Sequence, residues 1–444
     1  MKRRSPDRFA PLAERLAWGK SRRKALSRVA QAEWRARPSR PDPVDVLVAA
    51  NRDRLPELLP IKWGRMAASP FGFFRGAVPV MARDLASQRT SGPVVQMCGD
   101  AHVRNLGAYA APDGHLVFDI NDFDETLPGP WEWDLKRLAA SFVLVGREAG
   151  ARKAACTEAV AALVASWRQT LWQSAHMPAL EVARTHVRRL FRAAPVRLIL
   201  EKAERASPAH ALEKLTVGPN GRRRFASRPP LLSRVPSKEA NRVLGALARY
   251  RESLSDDRQL VFDAYRPVDV AFKVVGTGSV GTRDYAVLCF GAAPDDPLVL
   301  QVKEEPASAW APVLPKAPRP SHEGRRVAQG QHRMQTLSDP FLGWTTLDGR
   351  DYLVRQLADH KAGLEPGDLG GRALLEYALV CGEVFGKAHA RTGDAGSLAG
   401  YAGKAARLDE ALAAFAHAYA EQTEEDHGVF VRAIRSGRLR ARRA

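Results

Sequence analysis

The chain of 444 residues is 45% hydrophobic and 26% charged, so we expect a globular protein with two or three lobes rather than one core. The four cysteines are widely separated, which argues against a disulfide scaffold and a zinc ribbon. No apolar run is long enough for a membrane span, and the basic start has no apolar signal segment. These observations argue against a membrane protein and predict a cytoplasmic location. The net charge of +19 fits solvated helix faces better than a polyanion-binding surface, although it would also attract a phosphorylated substrate.

Residues 1–85 are predicted to form an N-terminal helical segment that prolines interrupt. Near its end, three phenylalanines lie between Arg65 and Arg75. The phenylalanines are expected to be in the core. Either arginine could bind a phosphate, because a guanidinium group matches two phosphate oxygens at once.

Residues 86–260 begin with two strand-like runs, VVQM (94–97) and HLVFDI (115–120), joined through a Pro-Asp-Gly turn. A long amphipathic helix is predicted from near Trp133, and helices continue over 150–215. A hairpin is predicted around Pro219-Asn220-Gly221, and the next helix is predicted to be capped by Ser237.

Residues 261–360 change to β-favouring sequence. Three strands are predicted, with a glycine-rich turn between the first two, then a helix over 321–337 and a hairpin about Asp348-Gly349. Residues 361–444 are predicted to be helical, with one helix over 371–391 and another over 404–423.

Acidic and amide side chains are concentrated where the first two strands end. Asp100 is followed five positions later by Asn105, and Asp119 and Asp122 end the second strand. Phosphoryl transfer needs a carboxylate near the attacking hydroxyl and oxygen ligands for Mg²⁺. This stretch is therefore predicted to carry a metal-phosphate site.

The stretch CGDAHVRN (98–105) resembles the HGDxHxxN loop of aminoglycoside phosphotransferases and choline kinases. The stretch INDFDE (120–125) resembles their metal-binding strand. The resemblance implies that Asp100 is the catalytic base, with His102 beside it in the catalytic loop. It also implies the following further roles: Asn105 and Asp122 as Mg²⁺ ligands, Asp119 and Asp124 as rival ligands, and Asp134 as a brace for the loop. Cys98 departs from the pattern, because these families have histidine there.

The glycine-rich turn has the order strand, GTGSVG, strand, which is typical of the phosphate-covering hairpin of kinases rather than of a dinucleotide fold, where a helix would follow. The residues expected to bind ATP are Gly276, Gly278, Ser279, Gly281, Lys303, Glu323 and Gln356. Glu323 is expected to hold Lys303, and Glu304, Glu305 and Gln331 are alternatives. Gln356 lies where the kinase resemblance places the adenine-holding hinge.

The chain as a whole resembles the bacterial family called domain of unknown function 2252. Five stretches carry this resemblance: RMAASPFGFFRGA, CGDAHVRNLG, DFDETLPGPWEWDLKRL, VGTGSVGTR and QVKE. The family supplies no activity, so it leaves the kinase interpretation as it stands.

The predicted fold is α+β, a two-lobed protein-kinase-like fold with a large helical lobe. The glycine turn and Lys303 follow the catalytic loop instead of preceding it, which predicts a circular permutation. Four segments are expected: N-terminal helices over 1–85, the catalytic-loop part of the helical lobe over 86–260, the β-rich nucleotide lobe over 261–360, and completing helices over 361–444.

These observations predict an ATP- and Mg²⁺-dependent phosphotransferase acting on a hydroxyl group of an unknown, small-molecule acceptor. The alternative is a non-catalytic nucleotide- or polyanion-binding protein on the same scaffold. A Cys98–His102 nucleophile pair is disfavoured, because a cysteine that ends an apolar strand is usually just buried.

Overall fold

The computed structural model describes residues 6–7, 9–185, 193–219, 222–357 and 362–442. The fold is mixed α+β, as expected. The helices are α1 (Leu12–Ser21), α2 (Pro43–Ala50), α3 (Leu59–Ala67), α4 (Pro70–Gly76), α5 (Val78–Ala86), α6 (Trp131–Glu148), α7 (Lys153–Ala175), α8 (Ala179–Arg184), α9 (Ala194–Arg205), α10 (Pro208–Leu215), α11 (Ser237–Glu252), α12 (Asp256–Asp263), α13 (Glu323–Met334), α14 (Arg372–Thr392), α15 (Ala395–Ala402) and α16 (Arg407–Arg435). Among the described helices, none has the length and apolar character needed to cross a bilayer.

The strands form one large sheet and three small ones. They are β1 (Val94–Met97), β2 (Leu106–Ala110), β3 (Leu116–Ile120), β4 (Leu127–Pro130), β5 (Thr216–Val217), β6 (Arg224–Phe225), β7 (Leu232–Arg234), β8 (Arg266–Lys273), β9 (Asp284–Phe290), β10 (Pro297–Glu304), β11 (Gly343–Leu347), β12 (Arg350–Gln356) and β13 (Ala362–Gly363). The large sheet is antiparallel in the order β11-β12-β10-β9-β8-β7.

The large sheet confirms the three strands predicted after residue 261 and the hairpin that follows them. Asp348 and Gly349 both have positive φ, 50° and 72°, which is the backbone that a two-residue turn between twisted strands requires. In the register of the sheet, Lys303 on β10 lies opposite Asp284 on β9 and Leu353 on β12. Paired residues project from the same face, so Lys303 and Asp284 share a face.

The small sheets contain strands that the sequence did not predict. β2 pairs with β3 and β13, and β4 pairs with β1. The β2 sequence LGAYA has no β-branched residue and β4 contains two prolines, so neither carries a strand signal. β5 pairs with β6 where a hairpin was predicted, and the Asn220-Gly221 part of that prediction lies outside the described residues.

The largest core cluster joins α6, α7, α14 and α16 to β1–β3 and to the inner side of the large sheet. α6 is buried along nearly its whole length, and Trp131 at its start stacks on Trp167 of α7 with ring centroids 4.7 Å apart. This cluster takes members from all four segments expected from the sequence, from Phe71 to Ala420. The four segments therefore meet in this cluster, and the large sheet has a second core on its other face, with α11 and α12.

Two helix predictions were wrong at their ends. α16 runs to Arg435 rather than ending at 423, because its apolar face continues through Phe430 and Ala433 into a core with α2, α3 and α4. Ser237 is not a side-chain cap: it lies inside the first turn of α11, after Pro236, and its side chain makes no cap hydrogen bond.

A segment between β10 and α13 crosses from the sheet to the helical lobe. The Ser308 hydroxyl donates to the carbonyl of Glu125 at 2.9 Å, and the indole N–H of Trp310 donates to the carbonyl of Gly99 at 2.8 Å. Trp310 also stacks on Trp133, with centroids 5.0 Å apart. We call residues 305–314 the strap, because they connect one side of the sheet to the loops that follow β1 and β3.

Candidate active site

The loop that follows β1 is held by the carboxylate of Asp134 in the first turn of α6. The backbone N–H groups of Cys98 and Gly99 donate to Asp134 at 2.8 and 3.0 Å. His389 of α14 accepts from Trp167 at Nδ1, which leaves Nε2 as the donor that approaches Asp134 at 3.4 Å. The prediction that Asp134 braces this loop is confirmed by these contacts.

Cys98 faces the same carboxylate. Its Sγ lies 3.8 Å from Asp134, and burial, with the negative charge of Asp134, raises the pKa of the thiol well above its usual range. A thiolate nucleophile is therefore strongly disfavoured at this position.

Asp100 is held by an arginine that the sequence analysis did not identify. Arg137 of α6 has no exposed surface, and its Nε donates to Asp100 Oδ1 at 2.8 Å. The same guanidinium donates to the carbonyl of Phe74 and lies over the Phe74 ring. Burial raises the pKa of Asp100, and the charge of Arg137 opposes that rise. Arg137 lies one turn after Asp134 on α6, so the two side chains share a helix face. This spacing is the sequence signal that could have identified Arg137.

His102 lies beside Asp100 and is almost fully buried. Its Nδ1 accepts from the backbone N–H of Arg104 at 3.2 Å, so Nε2, 3.7 Å from Asp100 Oδ2, carries the proton. Burial and the charge of Arg75 hold the pKa of His102 well below its usual range, which keeps the ring neutral. The ring is therefore placed to orient Asp100 rather than to exchange its own proton.

Asn105 turns back onto the loop that carries Asp100. Its Nδ2 donates to the backbone carbonyl of Asp100 at 2.8 Å, and its own carbonyl accepts from Asn121 at 3.0 Å. The side-chain Oδ1 accepts no hydrogen bond from any described residue, and Asn105 lines the cleft. An amide oxygen fixed in this way is suited to a hard cation.

Asp122 and Asp124, which follow β3, also line the cleft. Burial raises the pKa of Asp122 to about 7, and the negative charge of Asp124 adds to the shift. Burial alone would raise the pKa of Asp124 as well, but the Lys303 ammonium more than offsets it, so that this pKa lies well below its usual range. Asp124 Oδ1 is buried without a partner in the described part of the chain.

These residues fit a magnesium ion that is held partly by a substrate. Within the described ranges, no three His, Cys, Asp or Glu side chains form a ready-made metal cluster. Mg²⁺ is commonly bound through one or two carboxylates together with phosphate oxygens and water. Asp122, the free oxygen of Asn105 and the orphaned oxygen of Asp124 supply that kind of donor set.

Asp119 is placed elsewhere. It lies on β3 opposite Gly107, accepts from the backbone N–H of Ile120, and does not line the cleft. Burial raises its pKa to about 6, with Arg391 and Lys387 acting in the opposite direction.

Lys303 forms the opposite wall of the cleft. Its ammonium makes an ion pair with Asp124 and lies 3.7 Å from Glu305, which is two residues further along. Burial would lower the pKa of Lys303, but the two acids, with Asp124 the larger influence, raise it above its usual value. Both oxygens of Glu305 are buried without a hydrogen-bond partner in the described residues.

The expectation that Glu323 holds Lys303 was wrong. Glu323 makes an ion pair with Arg326, and its backbone N–H donates to Asp351 at 2.8 Å. The cause is the position of α13: Gly324 lies so close to the carbonyl of Tyr352 that the first turn of the helix is fixed over β12.

The glycine-rich turn between β8 and β9 is held by the N-terminal segment. Described residues bond to five of its carbonyls, as follows: Arg65 to Gly276, Lys62 to Thr277 at 3.2 Å and to Gly278 at 2.6 Å, Arg54 to Val280 at 2.8 Å, and the Leu55 N–H to Gly281 at 2.8 Å. Arg54 and Lys62 also line the cleft. The Thr282 N–H donates to Ser279 at 3.0 Å, whereas the N–H groups of Gly278 and Ser279 have no acceptor among the described residues. Successive backbone N–H groups of this kind can form an anion-binding concavity.

Gln356 is at the end of β12 and does not line the cleft. Its backbone N–H and its Nε2 both approach Asp339, at 2.7 and 3.2 Å. Leu357 continues the sheet by donating to Val299 at 2.8 Å. The adenine-holding hinge was predicted near Gln356 and Leu357, and neither residue is among those that line the cleft.

The cleft has a volume of about 740 Å³. It brings together most of the residues predicted from the sequence: Asp100, His102, Asn105, Asp122, Asp124, Gly276, Gly278, Ser279 and Lys303. Asp119, Gly281, Glu323 and Gln356 are not among its lining residues.

The sheet face that continues from Lys303 toward Val299 is covered. Ala271, Ala286, Leu288 and Val299 pack against Leu212 of α10 and Phe225 of β6, in a cluster separate from the main core. The Phe225 N–H also donates to Asp269 at 2.7 Å. We call residues 208–219 and 222–225 the cover.

Fold and site together define an α+β protein whose cleft joins buried acids, a buried lysine and a glycine-rich turn. The sequence matches the family described as "Uncharacterized protein conserved in bacteria (DUF2252)" over residues 54–433, and the chain belongs to that family. No match was found among curated proteins or among solved structures.

Proposed function

We propose that the protein is an ATP- and Mg²⁺-dependent phosphotransferase that acts on a hydroxyl group of a small-molecule acceptor. One observation carries the proposal. Asp100 and Lys303, about 200 residues apart in sequence, line the same cleft, with the acids of the catalytic loop on one wall and the lysine and glycine-rich turn on the other. This is the arrangement that in-line phosphoryl transfer requires.

The residues take roles that follow from their contacts. Asp100 accepts the hydrogen bond of the acceptor hydroxyl, and its pairing with Arg137 favours orientation over strong basicity. Asn105 and Asp122 hold magnesium, which neutralises phosphate charge when it is bound. Lys303 exchanges Asp124 for phosphate oxygens, and the N–H groups of Gly278 and Ser279, which have no acceptor among the described residues, bind the rest.

The proposal includes a kinase-like fold in permuted order. Support comes from the sequence of elements in the large sheet: strand, glycine-rich turn, strand, lysine strand, helix α13, then the β11–β12 hairpin. The catalytic loop precedes these elements instead of following them. α14, which carries His389 to the catalytic loop, comes after them.

The cover favours the alternative function, a nucleotide- or polyanion-binding protein without turnover. Leu212 and Phe225 pack on the face where the kinase resemblance would place the base of the nucleotide. A protein whose base site is closed by its own chain would bind phosphates without positioning them for transfer.

The test compares Asp122→Asn with Asp119→Asn, two identical substitutions three positions apart, of which only the first is in the cleft. We expect wild type and Asp119→Asn to bind ATP more tightly with Mg²⁺ than without it, measured by isothermal titration calorimetry. In Asp122→Asn the increase in ATP affinity produced by Mg²⁺ should be smaller by about tenfold or more, because a charged ligand of the metal is removed.

Phosphoryl transfer itself is measured as release of ADP from ATP in the presence of pooled hydroxyl compounds. Asp100→Asn should abolish it without changing ATP affinity. Tight Mg-ATP binding with no release in wild type would favour the alternative function. Absence of ATP binding in wild type, or equal effects of the two asparagine substitutions, would contradict the proposal.

A further inference from the structure

Arg75 stands apart from the other largely buried basic residues around the cleft because it has no hydrogen-bond or ion-pair partner among the described residues. It follows three buried phenylalanines on α4, which fix the helix, and Gly76 packs closely on Met66. Among the described residues, no acceptor lies within hydrogen-bond distance of its side chain, and its Nε is buried without one. Arg75 nevertheless lines the cleft.

Four neighbouring cations are each engaged with another group. Arg137 is bound to Asp100, Lys62 and Arg65 are bound to carbonyls of the glycine-rich turn, and Lys303 is paired with Asp124. An unpaired, largely desolvated cation is costly, so proteins rarely retain one without a ligand. The pKa of Arg75 is lowered by burial to about 10, so the group is still charged near neutral pH.

Arg75 lies between the two halves of the proposed site. Its charge acts on Asp100 and Asp122, and its backbone lies beside Gly278 of the glycine-rich turn. Asp100 already has Arg137 as its counter-ion, so Arg75 is not needed to neutralise it. The free guanidinium is therefore available to a group that enters between Asp100 and the turn, where a phosphoryl group would pass from donor to acceptor.

Arg83, exposed on α5, also lines the cleft and makes no ion pair with a described residue. Because water solvates Arg83, its lack of a partner costs little. The exposed Asp53 lines the cleft as well and likewise makes no ion pair with a described residue, so these two exposed charges offset each other.

We propose that Arg75 is the oxyanion-binding residue of this cleft. The oxyanion is either the terminal phosphoryl group of ATP or a phosphate or carboxylate on the acceptor, and a guanidinium group binds both by the same two-pronged hydrogen bonding. The alternative in which ATP supplies the oxyanion rests on the proposed function, whereas binding of a free oxyanion does not.

The experiment titrates full-length wild type and Arg75→Gln with Mg-ATP, with Mg-ADP and with inorganic phosphate at 0.15 M salt, by calorimetry. Arg249→Gln, the same substitution on the outer surface of α11, is the matched control for the loss of one positive charge. Arg75→Lys keeps the charge but removes the two-pronged geometry, and thermal melts establish that each variant is folded.

We expect Arg75→Gln to weaken phosphate binding about tenfold or more, as for the loss of a charge-assisted hydrogen bond, and Arg249→Gln to leave it unchanged. If the terminal phosphoryl group is the ligand, Arg75→Gln also weakens ATP about tenfold and spares ADP. If the acceptor anion is the ligand, both nucleotides bind as in wild type and only phosphate binding is weakened.

The proposal is overturned if Arg75→Gln binds all three probes as wild type does, or if both glutamine variants weaken phosphate equally. A wild type that binds phosphate through Arg75 but binds neither nucleotide would contradict the proposed function and leave the oxyanion site standing. If wild type binds ATP and Arg75→Gln has no effect on any probe, the oxyanion site is contradicted and the proposed function stands.

Discussion

Asp284 is a buried carboxyl group that shares a sheet face with Lys303 but does not bond to it. Its Oδ2 accepts from Gln301 at 2.7 Å, and its Oδ1 is buried with no partner in the described residues. Burial raises the pKa of Asp284 from 3.8 to about 7, although Lys303 acts in the opposite direction. The folded protein therefore favours the neutral carboxylic acid.

This pKa shift predicts how stability depends on pH. Since the pKa of Asp284 is higher in the folded state than in the unfolded state, its contribution to stability is fully present below 3.8 and is lost as the pH rises through about 7. Asp284→Asn should remove that loss and increase the free energy of unfolding at pH 8 by roughly 1–4 kcal/mol. Thermal melts of both proteins from pH 4 to pH 8 measure the difference.

Asp295→Asn, in the exposed β9–β10 turn, is the control for removing a carboxylate. It should leave the pH profile of wild type unchanged. Equal stability of Asp284→Asn and wild type at pH 8 would show that Asp284 is ionised in the fold and compensated by Lys303.

At the residue scale, sequence reasoning found the participants in the site but not their partners. Asp100, Asn105 and Lys303 were predicted because each ends a strand or follows one at a recognisable spacing. Lys303 bonds to Asp124, however, which is 179 residues away, and Asp100 bonds to Arg137. Such pairings depend on how the elements pack, and no local spacing encodes the partner of Lys303.

At the scale of elements, α3 and the residues before it form the outer support of the glycine-rich turn. Lys62 is buried, and two carbonyls of the turn are its hydrogen-bond acceptors. Burial lowers the pKa of Lys62 well below its usual value, so the ammonium contributes little to overall stability. Its effect is local, because it fixes the direction of two peptide units.

We expect Lys62→Met to loosen the turn while the rest of the protein stays folded. Methionine fills a similar volume without leaving an unpaired charge, but the carbonyls of Thr277 and Gly278 lose their donor. The Thr282 N–H donates to Ser279 within the turn at 3.0 Å, and its hydrogen exchange should be about tenfold faster. Mass spectrometry of peptides from this segment measures the change.

Lys24→Met, at an exposed position after α1, should exchange as wild type does at the same peptides. Unchanged exchange in Lys62→Met would mean that Arg54, Arg65 and Leu55 are sufficient to hold the turn.

Elements with a strong repeating pattern were predicted well, and elements defined by tertiary contacts were not. β8, β9 and β10 alternate apolar and polar residues or are rich in β-branched residues, so their strands were evident. The strap has no such pattern, because its position comes from Trp310 stacking on Trp133 and bonding to Gly99. The helix and the hairpin of the cover were predicted, but their packing on the sheet could not be foreseen, because it depends on tertiary contacts such as those of Leu212 and Phe225.

At the scale of the whole molecule, the sheet and the helical lobe share an interior. Leu353 of β12 and Val327 of α13 belong to the same core cluster as α6 and α14, and the strap adds a second connection. Separate unfolding of the sheet would expose that shared surface, so the two parts should unfold together.

We therefore expect one unfolding transition in guanidinium chloride. Far-UV circular dichroism, which follows the helices, and tryptophan fluorescence, which includes Trp310 and Trp344 near the sheet, should give the same midpoint. Trp310→Ala removes a fully buried side chain and should lower stability by about 3–5 kcal/mol. Trp172→Ala, at a partly buried position of α7, is the control. Two separated midpoints in wild type would contradict a shared core.

The distance along the chain between the two walls of the cleft has a consequence for how the protein is made. A ribosome adds about 5–20 residues per second, so roughly 10–40 s pass between synthesis of Asp100 and of Lys303. His389, which supports the loop of Asp100 through Asp134, emerges later still. During this interval the nascent chain carries β1–β4 without α14 and without the large sheet, so their apolar surfaces are uncovered. We expect the need for a chaperone to be greatest at this stage.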